Sequence, residues 1–278
     1  MATQQHTQAE SRTWQLQGDS AEAYERHLVP QFMAQGAQIL VSLAGLGEGD
    51  RVLDVATGTG IVARTAAPVV GATGSIDAVD LNTSMLAVAR KQSAGLQPAI
   101  TWRLGDAHDL PYRDATFDVV FCQQGLQFFR ERDTALAEMY RVLVPGGRVA
   151  VSLMRSVEHN PSYRILADVV ARYLDPEAGA TLVSPFARIS TAELRDLMTA
   201  TGFREVQIIH GHAPARYESV EEFARLEASS SPLATSFGAL PEHERETLLQ
   251  DLRVALGDYV DDQGIVFPTA IYVATGKR

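Results

Sequence analysis

The stretch at residues 51–60, RVLDVATGTG, decides the fold of this chain. Its apolar and β-branched residues lead into Asp54 and then into a loop of small residues, and residues 61–67 have the composition of a helix. This order predicts a buried parallel strand, a tight turn and a helix. Glycines in such a turn let backbone N–H groups approach a ligand, and the positive end of the helix points at the same place. The stretch therefore predicts a ligand site.

Length, composition and charge restrict the kind of protein. A chain of 278 residues with 46% hydrophobic and 21% charged residues is long enough for one domain with insertions. Its 24 Lys and Arg against 34 Asp and Glu give a net charge of −10, which repels phosphate backbones and anionic membranes. We therefore expect neither a nucleic acid nor a membrane as partner. The lone Cys122 excludes an internal disulfide and a thiolate zinc cage.

The beginning of the chain is polar. Residues 1–18 are predicted to form a flexible tail, and residues 19–278 a single domain. The start has no apolar core of the kind found in signal peptides, and no apolar run approaches the ~20 residues needed to span a bilayer. These features predict a cytoplasmic protein.

Helices at residues 19–47 are predicted to precede the core, with a break or kink at Pro30. If the first helix lies over the ligand site, Tyr24 and His27 would face the ligand. The alternative is that this helix face only packs against the sheet, and the sequence leaves both interpretations open.

Strands and helices alternate through the middle of the chain. Further strands are predicted at residues 74–80, 99–104, 117–122 and 148–153, with helices at 83–94 and 133–143. This rhythm predicts an α/β fold with a mostly parallel sheet covered by helices on both faces, whose ligand lies at the carboxyl ends of the strands. Polar or glycine residues fall at this edge on four strands: Asp54, Gly58, Gly60, Asp80, Asp106 and Gln123.

One acidic residue indicates that the ligand contains a nucleoside. Asp80 lies 20 residues beyond Gly60, where a carboxylate can accept hydrogen bonds from both hydroxyls of a ribose. The spacing Gly58-x-Gly60-x-x-Ala63 also satisfies the dinucleotide pattern. The residues alone therefore leave an NAD-type cofactor open.

Four segments in order carry a family resemblance: VLDVATGTG, AVDLNTSML, GDAHDLPYRDATFDVVFCQQGLQFF and EMYRVLVPGGRVAVS. They resemble the class I S-adenosylmethionine-dependent methyltransferases, and more narrowly the group similar to ubiquinone/menaquinone biosynthesis methyltransferases (methyltransferase type 11). The resemblance implies a Rossmann-like fold with a seven-stranded, mostly parallel sheet and a cofactor-binding core at residues 50–153. It also implies S-adenosyl-L-methionine as cofactor and S-adenosyl-L-homocysteine as product.

The same resemblance implies roles for particular residues. Asp54 would orient the methionine amino group, Gly58 and Gly60 would admit the methionine moiety, and Asp80 would hold the ribose. Asp106 would bind the adenine amino group. The full set of implied cofactor-binding residues is Asp54, Ala56, Thr57, Gly58, Gly60, Asp80, Leu81, Met85, Gly105, Asp106, Ala107, Gln123, Gln124 and Phe128. Ala56 stands where the family often has glycine, a swap that is tolerated if this position does not need a positive φ.

The proposed chemistry needs little catalytic apparatus. A sulfonium methyl group is electrophilic, so its in-line displacement requires mainly a nucleophile held close and water excluded. A general base is optional, and the candidates for a catalytic role are Tyr24, His27, Gln124 and His159, with His108 near the same edge. For Gln124 a loop hydrogen bond is the alternative. No histidine pair has convincing zinc spacing, so we predict no metal.

Substrate identity is expected to lie in insertions at residues 154–190 and 213–260, which are predicted to form a helical cap. Its candidate apolar residues are Tyr163, Leu166, Phe186, Phe223 and Leu226, although ordinary core packing would also explain them. Such a cap suits O-, N- or C-methylation of a small, partly hydrophobic metabolite or natural-product intermediate by a monomer or homodimer. The alternatives are a non-methylating S-adenosylmethionine-binding member of the fold, such as a cyclase, and an NAD-type dehydrogenase.

Overall fold

The computed structural model describes Leu16, residues 19–186 and residues 189–278. The predicted flexible tail lies outside the described residues except for Leu16, which is buried at 1% exposure. Its carbonyl oxygen accepts a hydrogen bond of 2.7 Å from Asn82 Nδ2. This one described residue of the predicted tail is therefore attached to the domain. In the part of the chain that is described, no helix has the length and apolarity required to cross a membrane.

One long helical stretch opens the domain. It comprises α1 (Asp19–Ala23), a π-helical segment (Tyr24–Met33) and α2 (Ala34–Leu43). Of the two predicted effects of Pro30, a break or a kink, the break is wrong, because the helix continues through Pro30 with wider turns. The Ala34 N–H bonds to the Val29 carbonyl, five residues back. A wider turn accommodates a proline because its ring is moved away from the carbonyl that it would otherwise meet.

The central part of the chain confirms the predicted alternation. Its elements are β1 (Arg51–Val55), α3 (Ile61–Val70), β2 (Ser75–Asp80), α4 (Thr83–Gln92), β3 (Ile100–Leu104), β4 (Phe117–Gln123), α5 (Arg132–Val142) and β5 (Leu143–Met154). Most bounds lie within two residues of the expected ones. The exception is β5, which begins at Leu143, so Pro145 lies inside the strand rather than in a preceding turn.

The second half of the chain adds the cap and closes the sheet. Its elements are α6 (Pro161–Tyr173), α7 (Pro176–Val183), α8 (Thr191–Thr201), β6 (Arg204–Tyr217), α9 (Val220–Ser229), α10 (Ala234–Gly238), α11 (Glu242–Ala255), β7 (Val260–Asp261) and β8 (Gly264–Lys277). Strand β6 is 14 residues long and contains both His210 and His212. It also contains Pro214, which a strand tolerates at the edge of a sheet, and β6 is an edge strand.

The sheet has the order β3-β2-β1-β4-β5-β8-β6, with β7 paired to β8. Strands β1 to β5 are parallel, and β8 is antiparallel to both β5 and β6. The predicted seven-stranded, mostly parallel sheet is confirmed, and the two-residue strand β7 is an addition to it. One face of the sheet packs against α2, α3 and the cap helices. The other face packs against α5 and α8.

The β6–β8 pair extends past the carboxyl edge of the parallel strands. Met154 at the end of β5 pairs with Ile271, so residues 264–270 of β8 pair only with β6 and β7. Asn160 ties this extension to the segment after β5, since its Oδ1 accepts a hydrogen bond of 2.8 Å from the Ala270 N–H. The cap is therefore joined to the sheet directly above the edge where the predicted site lies.

Candidate functional site

Asp54, the fourth residue of β1, is buried at 1% exposure. Its Oδ2 accepts hydrogen bonds from Thr57 Oγ1 at 2.5 Å and from the Ala63 N–H at 3.2 Å. Its Oδ1 is also buried and accepts none from any described residue. Burial raises the pKa of this carboxyl to about 7, against the opposing effect of these hydrogen bonds. A ligand that donates a hydrogen bond or carries a cation would satisfy Oδ1.

Asp80 ends β2 beside the same loop. Its Oδ2 accepts a hydrogen bond of 2.7 Å from the Gly58 N–H, and its Oδ1 one of 2.8 Å from the Asn82 N–H. Burial raises the pKa of Asp80, although the backbone donors oppose this effect. The carboxylate thus joins the glycine loop to the end of the second strand, in the place that the sequence predicted.

The two glycines of the loop are required for different reasons. Gly58 has φ +57°, and a Cβ added to it would meet no atom within 4 Å, so the loop leaves open space there. Gly60 has φ +84°, and its added Cβ would lie 2.3 Å from Trp102 Cη2. Gly58 therefore borders the space for a ligand, and Gly60 allows β3 to pack against the turn.

Ala56 does not meet the condition set for its exchange. Alanine in place of glycine was expected to be tolerated if this position did not need a positive φ, and Ala56 has φ +54°. The left-handed conformation costs an alanine about 1–2 kcal/mol. A Cβ on Gly125 would lie 2.7 Å from the Ala56 Cβ and 2.8 Å from Cys122 Sγ, so glycine at position 125 makes room for Ala56.

Asp106, expected to bind an adenine amino group, already has a partner. Its Oδ1 accepts a hydrogen bond of 2.9 Å from the His108 N–H and lies 2.6 Å from His108 Nδ1. Burial alone would raise the pKa of Asp106, but these hydrogen bonds from His108 bring it below its ordinary value. The neighbouring Gly105 lies against Val79, and Ala107 is buried at 8% exposure. Of the two carboxyl oxygens of Asp106, Oδ2 is the one that remains to accept a hydrogen bond from a ligand.

The glutamines after β4 differ in what they contact. Gln123 Nε2 donates a hydrogen bond of 2.9 Å to the Met33 carbonyl, and its buried Oε1 has no partner among the described residues. Gln124 has φ +53°, and its Oε1 accepts a hydrogen bond of 3.1 Å from Gln127 Nε2. Gln124 therefore makes the loop hydrogen bond that the sequence left as an alternative, whereas Gln123 keeps an unused acceptor.

The N-terminal helical stretch lies over the same edge. Burial raises the pKa of Tyr24, and the negative charges of Glu25, Asp80 and Asp54 raise it further. Glu25 makes an ion pair of 2.7 Å with Arg64 of α3, and both side chains are less than a fifth exposed. Tyr24 is thus placed beside the two acidic residues of the predicted site.

The other predicted residues lie further from these contacts. Burial lowers the pKa of His27, and the positive charges of Arg225 and Arg26 lower it further. His159 is exposed, with Nδ1 at 3.0 Å from Ser156 Oγ. Leu81 and Phe128 are 58% and 37% exposed, and Met85 is half-buried. Their contacts with a cofactor, and a catalytic role for either histidine, stay predictions.

Two residues that shape the site were not predicted from the sequence. Asn82 caps α4, since its Oδ1 accepts hydrogen bonds from the Ser84 and Met85 N–H groups. An asparagine directly before Thr-Ser at a helix start is a capping signal that could have identified it. Trp102 covers Gly60 from β3, and nothing in the local sequence indicates this contact because the two residues are brought together only by the sheet.

Comparison with known proteins identifies the family. A family model described as a methyltransferase domain matches residues 52–147. Demethylmenaquinone methyltransferase from Deinococcus radiodurans is 39% identical over 168 residues, which cover 55% of this chain and 68% of that protein. The chain belongs to the class I S-adenosylmethionine-dependent methyltransferases. Within this family the chain is similar to ubiquinone/menaquinone biosynthesis methyltransferases.

Two further comparisons show how far the similarity extends. The ubiquinone/menaquinone biosynthesis C-methyltransferase UbiE from Saccharophagus degradans is 38% identical over 116 residues, 41% of this methyltransferase and 47% of that protein. The chain spans about half the length of the first curated relatives it matches. The crystal structure of the YcgJ protein from Bacillus subtilis shares the fold, with a TM-score of 0.58, 19% identity and coverage of 88% of this methyltransferase and 98% of that chain.

Proposed function

We propose that this chain transfers the methyl group of S-adenosyl-L-methionine to a small, partly hydrophobic acceptor. The observation that carries the proposal is a pair of buried, unused acceptor atoms near the glycine loop, Asp54 Oδ1 and Gln123 Oε1, neither of which has a partner among the described residues. The open space at Gly58 lies in the same loop. An ammonium group fits this environment because it carries three donors and a positive charge.

Different side chains would bind different parts of the cofactor. Asp54 and Gln123 would hold the methionine ammonium group, Asp80 the ribose hydroxyls, and Asp106 Oδ2 the adenine amino group. The cofactor supplies an electrophilic methyl group on its sulfonium. The chain's own residues then have to bind and orient the reactants and exclude water. The N-terminal helix, held to α3 by the Glu25–Arg64 ion pair, supports this by covering the edge of the sheet.

The acceptor is proposed to be a small molecule that enters beneath the cap. The names of the relatives point to quinone-type acceptors for those proteins, and the aromatic residues in this chain's cap support a ring-containing acceptor here. Neither a non-methylating role nor an NAD-type dehydrogenase is favoured by any observation on the described residues. A cytoplasmic location and a monomeric or homodimeric state stay predictions.

Calorimetry with the full chain tests the proposal. We expect saturable binding of S-adenosyl-L-methionine and of S-adenosyl-L-homocysteine, and none of NADH. Incubation with methyl-labelled cofactor and a panel of phenols, hydroquinones and amines should then label at least one acceptor. Binding of NADH in place of S-adenosyl-L-methionine would overturn the proposal, and cofactor binding without labelling of any acceptor would favour a non-methylating role.

Cofactor binding is expected to depend on pH through Asp54. The pKa of this carboxyl is raised to about 7 without a ligand, and a bound ammonium group would lower it. Below pH 7 the free protein therefore holds a proton that the complex releases. The affinity for S-adenosyl-L-methionine should rise with pH, by up to about tenfold per unit, and level off above about 7.

This dependence is measured as the dissociation constant at a series of pH values on both sides of the Asp54 pKa. The variant Asp54→Asn should bind more weakly and lose the slope, because an amide does not titrate in this range. A wild-type affinity that does not change with pH would contradict the assignment of Asp54 to the ammonium group.

A further inference from the structure

Both donors to the Asp106 carboxyl come from a single residue, His108. The backbone N–H of His108 lies 2.9 Å from Oδ1, and its ring nitrogen Nδ1 lies 2.6 Å from the same oxygen. Among the described residues, none donates a hydrogen bond to Oδ2. The Asp106 side chain is half exposed. One oxygen is therefore held by two donors, and the other is free for a ligand.

The tautomer of His108 follows from this contact. Burial would raise the pKa of Asp106, but the hydrogen bonds from His108 bring it below its ordinary value, so the carboxyl is ionised at neutral pH. An ionised carboxylate has only acceptor atoms. The hydrogen of the 2.6 Å contact is therefore on Nδ1, and the imidazole donates it to Asp106.

Only one of the two hydrogen bonds depends on the histidine side chain. The bond from the backbone N–H closes a turn that an aspartate forms with the residue two positions on, and any residue except proline could provide it at position 108. The bond from Nδ1 is the contribution of the imidazole. Each carboxylate oxygen accepts about two hydrogen bonds, so this second donor saturates Oδ1 and fixes the plane of the carboxyl. A donor on a ligand is then left with Oδ2.

The imidazole ring is itself supported by the loop after β4. It lies edge-on to the Phe129 ring, with 5.6 Å between the ring centroids and 66° between the planes. Phe129 in turn packs near Gly125, where an added Cβ would lie 3.4 Å from Phe129 Cζ. His108 thus connects Asp106, which follows β3, to the segment that follows β4. The Asp106 carboxyl is positioned by a packed ring rather than by its own loop alone.

The second ring nitrogen argues against a role in packing alone. His108 Nε2 is buried and has no hydrogen-bond partner among the described residues. Buried polar atoms are normally paired, and leaving one unpaired costs stability. An apolar ring could pack on Phe129 without this cost. What the imidazole adds is the hydrogen bond from Nδ1, so the orientation of Asp106 is the property that this residue serves.

The strand register places Asp106 where the base of a nucleoside would lie. Asp80, proposed to hold the ribose, pairs with Leu104 at the end of β3. The Gly105 N–H donates a hydrogen bond of 3.1 Å to the Asp80 carbonyl. Asp106 is the next residue, so its carboxyl lies beside the end of β2 and next to the ribose site. The base attached to that ribose is the part of the cofactor nearest to Asp106.

We infer that His108 is a positioning residue that sets the preference of the cofactor site for adenine, by saturating Asp106 Oδ1 and presenting Oδ2 to the adenine amino group. This inference rests on the proposed function, because it concerns the same cofactor. It gives His108 a role in selecting the nucleobase, whereas the sequence placed this histidine among the residues near the edge that could take a proton.

Hypoxanthine is the base that such a site has to reject. Adenine carries an amino group at position 6, which donates a hydrogen bond to a carboxylate. Hypoxanthine carries a carbonyl oxygen there, which a fixed carboxylate oxygen repels, and a hydrogen on N1. A carboxylate that is free to turn can accept this N1 hydrogen instead. Loss of the support from His108 should therefore reduce the discrimination between the two bases.

A pair of cofactor products measures this discrimination. The full chain is titrated by calorimetry with S-adenosyl-L-homocysteine and with S-inosyl-L-homocysteine, which differ only in the nucleobase. We expect the wild type to bind the adenine compound at least about 30-fold more tightly, since a hydrogen bond to a charged group is replaced by a repulsive contact.

Three variants at position 108 identify the atom responsible. His108→Asn brings an amide donor close to the place of Nδ1, so its preference should stay within about threefold of the wild-type value. His108→Gln brings its amide to the place of Nε2 instead, and His108→Ala has no side-chain donor. In both of these the preference for adenine should fall below about fivefold. The backbone N–H that bonds Asp106 is present in all three.

A second histidine beside a carboxylate provides the control. His243 of α11 has its Nε2 at 3.9 Å from Glu244 and belongs to no part of the proposed site. His243→Ala should leave both affinities unchanged. Thermal unfolding reports whether each variant keeps the fold. Should His108→Ala not fold, the comparison of His108→Asn with His108→Gln still decides, because both keep a polar side chain.

Any of three results would overturn the inference. One is equal affinity of the wild type for the two compounds, and another is a preference that stays at the wild-type value in His108→Gln. The third is a preference kept in His108→Gln but lost in His108→Asn, which would assign the contact to Nε2. If the wild type binds neither compound, the proposed function fails together with this inference. If S-adenosyl-L-homocysteine binds and one of the three results is found, only the role of His108 fails.

Discussion

Asp80→Asn is expected to weaken the binding of S-adenosyl-L-methionine by about 100-fold. The carboxylate would accept hydrogen bonds from both ribose hydroxyls while it holds the Gly58 and Asn82 N–H groups at 2.7 and 2.8 Å. An asparagine has one acceptor oxygen in place of two and no charge, so one ribose contact is lost and the other is weakened. Hydrogen bonds to charged groups contribute about 1.5–3 kcal/mol each, and about 2.7 kcal/mol corresponds to 100-fold in affinity.

The control for this prediction lies in the same strand. Asp77 of β2 makes an ion pair of 3.3 Å with Arg103, whose side chain is half exposed, and belongs to no part of the proposed site. Asp77→Asn should bind the cofactor as the wild type does. Calorimetric titration of the three proteins measures the comparison. A dissociation constant for Asp80→Asn within threefold of the Asp77→Asn value would remove Asp80 from the ribose site.

Gly60→Ala is expected to lower the free energy of unfolding by about 2–5 kcal/mol. The left-handed conformation at φ +84° costs an alanine about 1–2 kcal/mol. The added Cβ would also lie 2.3 Å from Trp102 Cη2, which forces the ring or the loop to move. Overpacking of this kind typically costs a further 1–3 kcal/mol. Urea unfolding followed by circular dichroism measures the difference.

Gly95 separates the two contributions. It has φ +85°, and a Cβ added to it would meet nothing within 4 Å, so Gly95→Ala should cost only the conformational part, about 1–2 kcal/mol. Combining Gly60→Ala with Trp102→Leu should recover most of the difference between the two alanine variants. If Gly60→Ala is no more destabilising than Gly95→Ala, close packing by Trp102 is not why glycine stands at position 60.

The sheet and the place of the site were predictable because their signals are local. Each of the first five strands is a short apolar run followed by a turn, and parallel strands bring their carboxyl ends to one edge. Asp54, Asp80 and Gln123 were selected in this way as site candidates, from their positions at or near the end of a strand. The resemblance supplied the cofactor, which the glycine pattern alone did not distinguish from a dinucleotide.

The features that escaped prediction depend on tertiary contacts. The helix continues through Pro30 because a wider turn accommodates the ring. Strand β6 runs through His210, His212 and Pro214. It tolerates the proline because an edge strand has neighbours on one side only, so the missing N–H of Pro214 can lie on the open side. Ala56, with its positive φ, places its Cβ in room that only a glycine at position 125 leaves free. None of these conditions can be read from neighbouring residues.

The position of β8 has a consequence for how the chain acquires its structure. This strand is synthesised after every other strand of the sheet, yet it lies between β5 and β6. Until residues 264–277 leave the ribosome, β6 has no neighbour to pair with, and the extension beneath the cap cannot form. The first five strands can assemble during translation, whereas the pairing of β6 with β8 closes a long loop and is slow for that reason. The parallel part of the sheet can therefore form first, and the part beneath the cap is completed only when β8 pairs with β6.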